Sequence, residues 1–174
     1  MVRTERLELR PAEEQDRAVF VELFGRGDFM VFSGGPLTPT DASARFDEML
    51  ATGREIPFAK QPVVESVSGL IVGYSGVAWF DFDGRPWLEF GYRFVPEARG
   101  KGYATEAAHA LLAVARQTFT GDILATIDPT NDSSKRVARK LGFQYWKLAT
   151  IDETEEEIYR LSVHGHAEGQ PLVH

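Results

Sequence analysis

The chain has 174 residues, of which 43% are hydrophobic and 26% charged, so it suits one well-cored domain and is too apolar for a disordered protein. Its net charge of −7 argues against non-specific binding to nucleic acid, and the lack of cysteine excludes disulfides, thiolate metal sites and a cysteine nucleophile. No apolar run approaches the roughly 20 residues that span a bilayer. We therefore expect a single domain over residues 1–174, cytoplasmic, with no membrane or nucleic-acid partner and no signal peptide.

The first third of the chain predicts one strand and two helices. The apolar pattern places a strand over residues 6–10, a helix over 13–25, a loop over 25–36 and a second helix that ends at Gly53. Thr38 and Thr40 offer N-caps for the second helix.

Between residues 62 and 94 the hydrophobic pattern takes the two-residue period of strands. Three strands are predicted, over residues 63–67, 70–80 and 87–94, and the turns Ser68-Gly69 and Asp83-Gly84 would join them as an antiparallel meander. In the third strand, one face would carry Leu88, Phe90, Tyr92 and Phe94, and the other Trp87, Glu89, Gly91 and Arg93.

The remaining residues predict a long helix, a buried strand, a short helix and a hairpin. These elements cover residues 103–118, 123–127 and 132–141, and then 143–150 with 158–163. The order β-α-α-β-β-β-α-β-α-β-β predicts an α+β (mixed α/β) domain. Its sheet of about seven strands would be mostly antiparallel, with one parallel crossover through the long helix and four flanking helices.

The loop between the strand 87–94 and the long helix carries the clearest chemical signal. Gly100 and Gly102 allow the backbone to turn its N–H groups toward one point, and the helix start adds free N–H groups and a positive dipole end. Arg99 and Lys101 add charge, and residues 93–140 carry a net +3 in an otherwise acidic chain. The loop is either a phosphate site or a plain strand–helix turn, and it is not a Walker loop, because Lys101 is followed by glycine.

Four segments in register resemble the GNAT N-acetyltransferase superfamily. Arg99-x-x-Gly102-x-Ala104 resembles the acetyl-CoA pyrophosphate loop of that superfamily. Three further segments resemble its ribosomal-protein alanine acetyltransferase (RimJ/RimL) branch: Thr4–Pro11, Leu88–Tyr92, and Asn131-x-x-Ser134 leading to Lys140–Phe143. The order and spacing of the resemblance hold over nearly the whole chain, roughly residues 4 to 163.

This resemblance implies a three-layer domain whose sheet splays into a V between residues 87–95 and 123–127. Acetyl-CoA would lie in that gap as a cosubstrate, without a metal, and its pantetheine amides would pair with the backbone near Phe94 and Val95. The cofactor-binding residues implied are Phe94, Val95, Arg99, Gly100, Lys101, Gly102, Tyr103, Ala104, Thr105, Asn131 and Arg136. Asn131 is equally an N-cap candidate.

Two residues are the candidates for acid–base catalysis. Glu89 lies ten residues before Arg99, near where many relatives place a catalytic carboxylate, and would take a proton from the amine; the alternative is a surface glutamate. Many superfamily members carry a tyrosine where this chain has Ala138, as the acid for the leaving thiolate. Ser134 shares a helix face with that position, so Ser134 or a water that it holds is the candidate acid; a capping or packing serine is the alternative.

The acceptor would be a primary amine bound under a roof formed by the loop 25–37 and the last hairpin, with Phe29, Phe32, Ser33 and Asn131 as its binding residues. The hairpin tip, residues 152–157, holds five acids, which would either attract a cationic acceptor or form a solvated turn. An α-amine, with a pKa of about 8, is neutral more often at pH 7 than lysine, which favours a protein N-terminus as the acceptor. A small amine (polyamine, amino sugar or antibiotic), a non-catalytic acyl-CoA-binding module and a structural protein stay open. A homodimer is a candidate assembly.

Overall fold

The strands of the chain form one mixed sheet. The computed structural model describes residues 1–164, and its strands are β1 (Val2–Arg3), β2 (Leu7–Leu9), β3 (Gln61–Glu65), β4 (Ile71–Phe82), β5 (Arg85–Phe94), β6 (Gly121–Ile127), β7 (Gln144–Ile151) and β8 (Thr154–Val163). They lie in the order β1-β2-β3-β4-β5-β6-β8-β7, and every neighbouring pair is antiparallel except β5–β6. The predicted mixed, mostly antiparallel sheet is therefore confirmed, with eight strands rather than about seven because β1 adds a short edge.

Four α-helices flank the sheet: α1 (Arg17–Phe24), α2 (Pro39–Glu55), α3 (Tyr103–Thr118) and α4 (Asp132–Lys140). The helix predicted over 13–25 differs at its start, where residues 14–16 form a 3₁₀ turn before α1. Thr38 caps α2 by accepting a hydrogen bond from the N–H of Asp41. None of the described helices is long and apolar enough to cross a bilayer.

The turn Asp83-Gly84 sets the register of the long β4–β5 hairpin. Both residues have positive φ, +54° and +67°, the geometry of a two-residue type I′ turn that matches strand twist. With this turn, Phe82 pairs with Arg85 and the pairing continues without a break to Gly73 opposite Phe94. The predicted faces follow from this register: Leu88, Phe90 and Phe94 are buried, whereas Glu89 and Gly91 on the other face are only partly covered.

The sheet has a separate hydrophobic core on each face. On one face, β5 and β6 pack against α3 and α4 through residues such as Phe90, Leu111 and Ile123. On the other face, α1 and α2 pack with Tyr74 of β4. The loop 25–36 contributes to this second core, in which its side chains Phe29 and Met30 are buried.

A nearly buried ion pair fixes the start of α1. Both guanidinium Nη atoms of Arg10 donate to Asp16, each at 2.7 Å, and the N–H of Glu13 donates to the same carboxylate at 2.9 Å. Burial raises the pKa of Asp16, but the hydrogen bonds from Arg10 and Glu13 outweigh it, so the pKa lies below its ordinary value. The ionised carboxylate therefore stabilises the folded state.

We expect Asp16→Asn to lower the free energy of unfolding by about 2–4 kcal/mol, because it leaves Arg10 without its counter-charge at a site where Asp16 is 4% exposed. Since folding lowers the pKa of Asp16, this stabilisation is fully present above pH 4 and is lost as the pH falls through the lowered pKa. Urea unfolding at pH 7 and at pH 3 measures both effects.

The matched control is Glu8→Gln, which breaks a pair whose Arg3 partner is 70% exposed. This variant should lose less than about 1 kcal/mol. Equal losses in the two variants, or a loss in Asp16→Asn that does not change with pH, would contradict the assignment.

Candidate active site

A cleft opens in the middle of the sheet where β5 and β6 separate. These parallel strands pair only at Leu88 with Ile123 and at Glu89 with Leu124. Beyond Glu89 they diverge, and the space between them is a cleft of about 720 Å³ that both strands line. The V-shaped splay expected from the resemblance is therefore present, with its apex at Glu89.

The glycine loop at the mouth of the cleft presents bare backbone. Gly100 and Gly102 have φ of +72° and +84°, in the left-handed region that side chains avoid. Gly102 is also the N-cap residue of α3, and no side chain caps this helix. The loop and the first turn of α3 line the cleft. Free N–H groups at a helix start that faces a cleft form a site for a phosphate or pyrophosphate.

The N-terminal segment holds this loop in place. The carboxylate of Glu106 in α3 accepts hydrogen bonds from the Thr4 hydroxyl at 2.5 Å and from the N–H and Nε of Arg6 at 3.0 and 2.8 Å. A further Arg6 nitrogen donates to the carbonyl of Lys101 at 2.9 Å. Burial raises the pKa of Glu106, but the hydrogen bonds from Thr4 and Arg6 outweigh it and the pKa is lowered. The segment Thr4–Pro11 therefore holds the glycine loop in position. The spacing of residues in the sequence does not reveal this contact.

Most charged side chains of the glycine loop form hydrogen bonds or ion pairs with other residues of the protein. Lys101 lies 3.7 Å from a carboxylate oxygen of Glu65, to which the Tyr103 hydroxyl also donates at 2.8 Å. Arg99 donates to the carbonyls of Phe94 and Asp28, and so joins the loop 25–36 to the end of β5. Arg136 of α4 lines the cleft from the opposite side.

One backbone prediction needs correction. The N–H of Val95 donates to the carbonyl of Val72 at 2.9 Å, so it is not open to a ligand in the cleft. Because backbone groups alternate sides along a strand, those of Phe94 and Tyr92 face the splay instead. The carbonyl of Phe94 accepts a hydrogen bond from Nε of Arg99 at 3.0 Å, so only its N–H is open toward the splay, and the pairing of the pantetheine amides stays a prediction.

The start of α4 brings together the two predicted residues of the Asn-x-x-Ser motif. Asn131 caps the helix, since its side-chain oxygen accepts from the N–H of Ser134 at 3.1 Å and from the Ser133 hydroxyl at 2.9 Å. The Tyr92 hydroxyl donates to the Ser134 hydroxyl at 3.2 Å, and both residues line the cleft. Burial raises the pKa of Tyr92 against a smaller opposing effect of Ser134. Sequence reasoning missed Tyr92, because it is 42 residues away from Ser134.

Glu89 lies at the apex of the splay, where its side chain is 21% exposed. The Thr126 hydroxyl of β6 donates to one of its oxygens, and Nζ of Lys60 lies 3.7 Å from the other. The carboxylate therefore bridges the two diverging strands. It shares its face of β5 with Gly91, where an added Cβ would touch only the flexible end of Lys60, at 3.4 Å.

Two more carboxylates, of Asp128 and Glu156, line the same cleft. The pKa of Glu156 is raised by burial, and then by the negative charges of Asp128 and Glu89. We expected residues 152–157 to form an acidic hairpin tip. In the structure the tip is Asp152 and Glu153, while Glu156 lies on β8 and reaches the cleft. The cleft thus has an acidic end that favours a cation.

The predicted roof is only partly exposed. Phe29 is 1% exposed and packs on Phe24 and Tyr74, and it still belongs to the lining of the cleft. Phe32 is 49% exposed and lines the cleft with Ser33, and so does Val31, which sequence reasoning missed.

The structure brings Glu89, Ser134, Asn131 and the glycine loop around one cleft. Ala138, in the position where many superfamily members have a tyrosine, is buried in the cleft wall. Among residues 1–164, no three His, Asp or Glu side chains form a group that could hold a metal ion.

The chain matches the family model of the acetyltransferase (GNAT) domain over residues 6–144. It is 30% identical to the uncharacterized protein YkkB of Bacillus subtilis (strain 168) over 83% of this chain and 85% of that one. An acetyltransferase structure from Agrobacterium tumefaciens str. C58 superposes with a TM-score of 0.79 at 27% identity, over 92% of each chain. The ribosomal-protein-S5-alanine acetyltransferase of Vibrio fischeri shares the fold, with a TM-score of 0.74 at 17% identity over 97% of this chain and 98% of that chain.

We expect Gly102→Val to weaken binding of acetyl-CoA at least about tenfold. A valine is strained at a φ of +84°, and relief of that strain would turn N–H groups away from the phosphate, at a cost of one or more charge-assisted hydrogen bonds. Calorimetric titration measures the dissociation constant.

The control is Gly69→Val in the turn between β3 and β4, where φ is +69° and no atom lies within 4 Å of an added Cβ. This variant carries similar backbone strain, so it should lose comparable stability and keep its affinity. An unchanged affinity in Gly102→Val would show that the loop does not hold the cosubstrate.

Proposed function

The chain belongs to the GNAT acetyltransferase family, whose members transfer an acetyl group from acetyl-CoA to an amine, and we propose that its acceptor is the α-amine of a protein N-terminus. The observation that carries this proposal is the position of Glu89, at the apex of the splay and beside two further carboxylates. A protonated amine that enters there meets negative charge and a base.

The described residues fit the cosubstrate. Its pyrophosphate would lie on the backbone of residues 99–105, where two left-handed glycines and an uncapped helix start present N–H groups. Its extended arm would pair with the backbone of Tyr92 and Phe94 in the splay, as an added strand does. When bound, it supplies a thioester carbon for the amine to attack. Since the chain has no cysteine, transfer is direct, without an acyl-cysteine intermediate.

Acceptor binding and deprotonation fall to different carboxylates in this proposal. Glu156 and Asp128 attract the ammonium form of the acceptor. The pKa of Glu156 is raised by its burial and, to a smaller extent, by the negative charges of Asp128 and Glu89. Glu89, oriented by Thr126 and Lys60, takes the proton directly or through a water. An α-amine, with a pKa of about 8, makes less demand on a carboxylate base than lysine does.

The geometry of the roof supports an extended polypeptide as the acceptor. The exposed Val31 and Phe32 flank the cleft mouth and offer apolar contacts to the first side chains of a peptide. The likeness to the Vibrio fischeri enzyme concerns the fold, and that enzyme is described as acting on an alanine of ribosomal protein S5. An acetylation screen over N-terminal peptides, polyamines and amino sugars, read by mass, tests the acceptor class. Exclusive acetylation of polyamines or sugars would refute the proposal.

The leaving thiolate needs a proton donor on the other side of the splay, and we assign this role to Ser134 backed by Tyr92. A serine hydroxyl alone is a weak acid, whereas a tyrosine has an ordinary pKa of about 10, which burial raises in Tyr92. Tyr92 is still the stronger acid of the two hydroxyls. As Ser134 gives its proton to the sulfur, it takes the proton that Tyr92 already donates to it. The tyrosinate left behind is reprotonated from solvent after the product leaves.

Glu89→Gln should lower turnover at pH 7 by about 10²–10⁴-fold, the usual contribution of a general base. Because more of the α-amine is neutral at higher pH, the defect should shrink between pH 7 and pH 9. The measurement is the rate of thiol release from acetyl-CoA with a peptide acceptor across this range.

Glu156→Gln is the matched control, since it removes a neighbouring carboxylate that the proposal gives only a binding role. It should raise KM for the amine and leave kcat within about threefold of the unmodified protein, with no comparable change across pH. If Glu156→Gln showed the pH-dependent loss and Glu89→Gln did not, Glu156 would be the base.

Ser134→Ala and Tyr92→Phe should each lower kcat by roughly 10²-fold, with the dissociation constant of acetyl-CoA little changed. Phenylalanine keeps the ring that packs 6.2 Å from Phe94 and removes only the hydroxyl. The double variant should lose no more than the single ones, because both act through one proton path. Additive losses would mean independent roles, and normal turnover in Ser134→Ala would mean that the thiolate takes its proton elsewhere.

A further inference from the structure

Two guanidinium groups face the acceptor side of the cleft. Arg93 lies on the same face of β5 as Glu89 and Gly91, and Arg45 reaches the cleft from α2. Arg93 stands over the ring of Tyr74, 5.9 Å from its centre, and donates one hydrogen bond to the sulfur of Met30. Arg45 stands 5.7 Å from the ring centre of Phe24. These aromatic and sulfur contacts are weak compared with an ion pair.

Neither arginine has a carboxylate partner among residues 1–164. The contrast with Arg10 and Arg17 is clear, because both of those bind carboxylates through two nitrogens. Burial lowers the pKa of Arg93 most strongly, and the charge of Arg45 also lowers it, against opposing effects of Tyr74 and Glu89. Glu89 is the nearby negative charge that acts on Arg93, but it makes no ion pair with either arginine. In a chain with 26 acidic residues, two partly buried cations without a direct carboxylate contact leave room for a negative group from outside.

That negative group does not come from the phosphates of acetyl-CoA in this arrangement. The glycine loop leads into α3, which packs on the sheet face of Phe90 and Phe94. Arg93 lies on the opposite face, under the roof that the loop 25–36 forms. The two arginines therefore face the acceptor.

Position along β5 gives the spacing of the charges. Glu89 and Arg93 are four residues apart on one face, about 13 Å along the strand. Between them Gly91 leaves the surface open, with only the end of Lys60 nearby. An acceptor in this space would have its amine toward Glu89 and a negative group toward Arg93.

We propose that the acceptor carries a carboxylate close to its α-amine, and that Arg93 and Arg45 bind this carboxylate. The inference rests on the proposed acetylation of an α-amine and names the chemistry that would select among α-amines. A guanidinium binds a carboxylate through two parallel hydrogen bonds, so the preference is one of geometry as well as charge. The carboxylate has two sources, an acidic side chain in the first residues of a protein or the α-carboxylate of a free amino acid.

The test compares acceptors that differ only in the carboxylate. One arm uses N-terminal tetrapeptides with Asp or Asn as the second residue, and the other uses a free amino acid and its amide. With the unmodified protein and saturating acetyl-CoA, we expect kcat/KM to favour the carboxylate form by about 10- to 100-fold in one arm, which identifies the source.

Arg93→Met keeps an unbranched apolar stem and removes the guanidinium with its charge, and should reduce this preference to less than about threefold, mainly through KM. Arg93→Lys should restore part of it, because a lysine keeps the charge without the fork. Arg45→Met should reduce the preference in the same way, because Arg45 reaches the same side of the cleft from α2. Arg116→Met, in the exposed last turn of α3, is the control and should keep the preference.

The outcomes separate this inference from the proposed function. If α-amines are acetylated equally with and without the carboxylate, or if Arg93→Met slows both forms alike, the arginines do not read a carboxylate and only this inference fails. Calorimetry of the same acceptors with the CoA-bound protein reads the preference without turnover. A preference in binding without any acetylation would overturn the proposed function and leave the carboxylate site standing.

Discussion

The short pairing of β5 with β6 is the constraint on which the site depends. Two parallel residue pairs hold these neighbours together, and beyond Glu89 the backbone of β5 has no partner strand on that side. Unpaired N–H and C=O groups inside a sheet need other partners. An extended ligand with amide groups can supply these partners. The interruption in the pairing of the sheet is therefore suited to bind such a ligand. The hydrogen bond from Thr126 to Glu89 joins the strands where they begin to part, and it places a carboxylate there.

The alternation of side chains along β5 divides the chemistry between the two faces of the sheet. Tyr92 and Phe94 point toward α3 and α4, where the donor loop and Ser134 lie. Glu89, Gly91 and Arg93 point toward the roof, the side on which we propose that the acceptor binds. Acyl transfer to an amine requires removal of a proton from the nucleophile and delivery of one to the leaving group, and one strand can hold both groups apart. The Asp83-Gly84 turn fixes the register of the β4–β5 hairpin. A slip of one residue would exchange the two faces of β5, so this turn also determines which side chains point to which side of the sheet.

Local patterns in the sequence predicted most of the fold. The period-two pattern, the turn residues and the helix stops indicated the elements to within a few residues, because those signals act over neighbouring positions. The predicted helix over 13–25 missed its initial 3₁₀ turn, whose Asp16 is held by Arg10 from the preceding strand. The glycines in the loop 99–105 correctly indicated a left-handed backbone. This signal is also local, because a left-handed φ depends on the single residue that adopts it.

The contacts that the sequence did not predict join residues far apart in the chain. Tyr92 with Ser134, Lys60 with Glu89 and Glu106 with Thr4 depend on how the sheet brings distant segments together. A helical or strand period carries no information about such pairs. Glu156 illustrates the limit, because a run of acids reads as a solvated turn until the β7–β8 hairpin is placed beside the cleft.

Charge that clusters in the sequence is dispersed in the fold. Residues 93–140 looked like a basic stretch for a polyanion, yet Lys101 pairs with Glu65 and Lys135 with Glu157. Arg99 is engaged with main-chain carbonyls, and Arg93 lies on the acceptor face. The backbone N–H groups at the start of α3 have no side-chain cap, and Arg136 lines the cleft on the side of α4, so these features are the ones placed to meet a phosphate. An anion site built from backbone depends on glycine and on helix position, so it tolerates a change of nearby charge better than a change at Gly100 or Gly102.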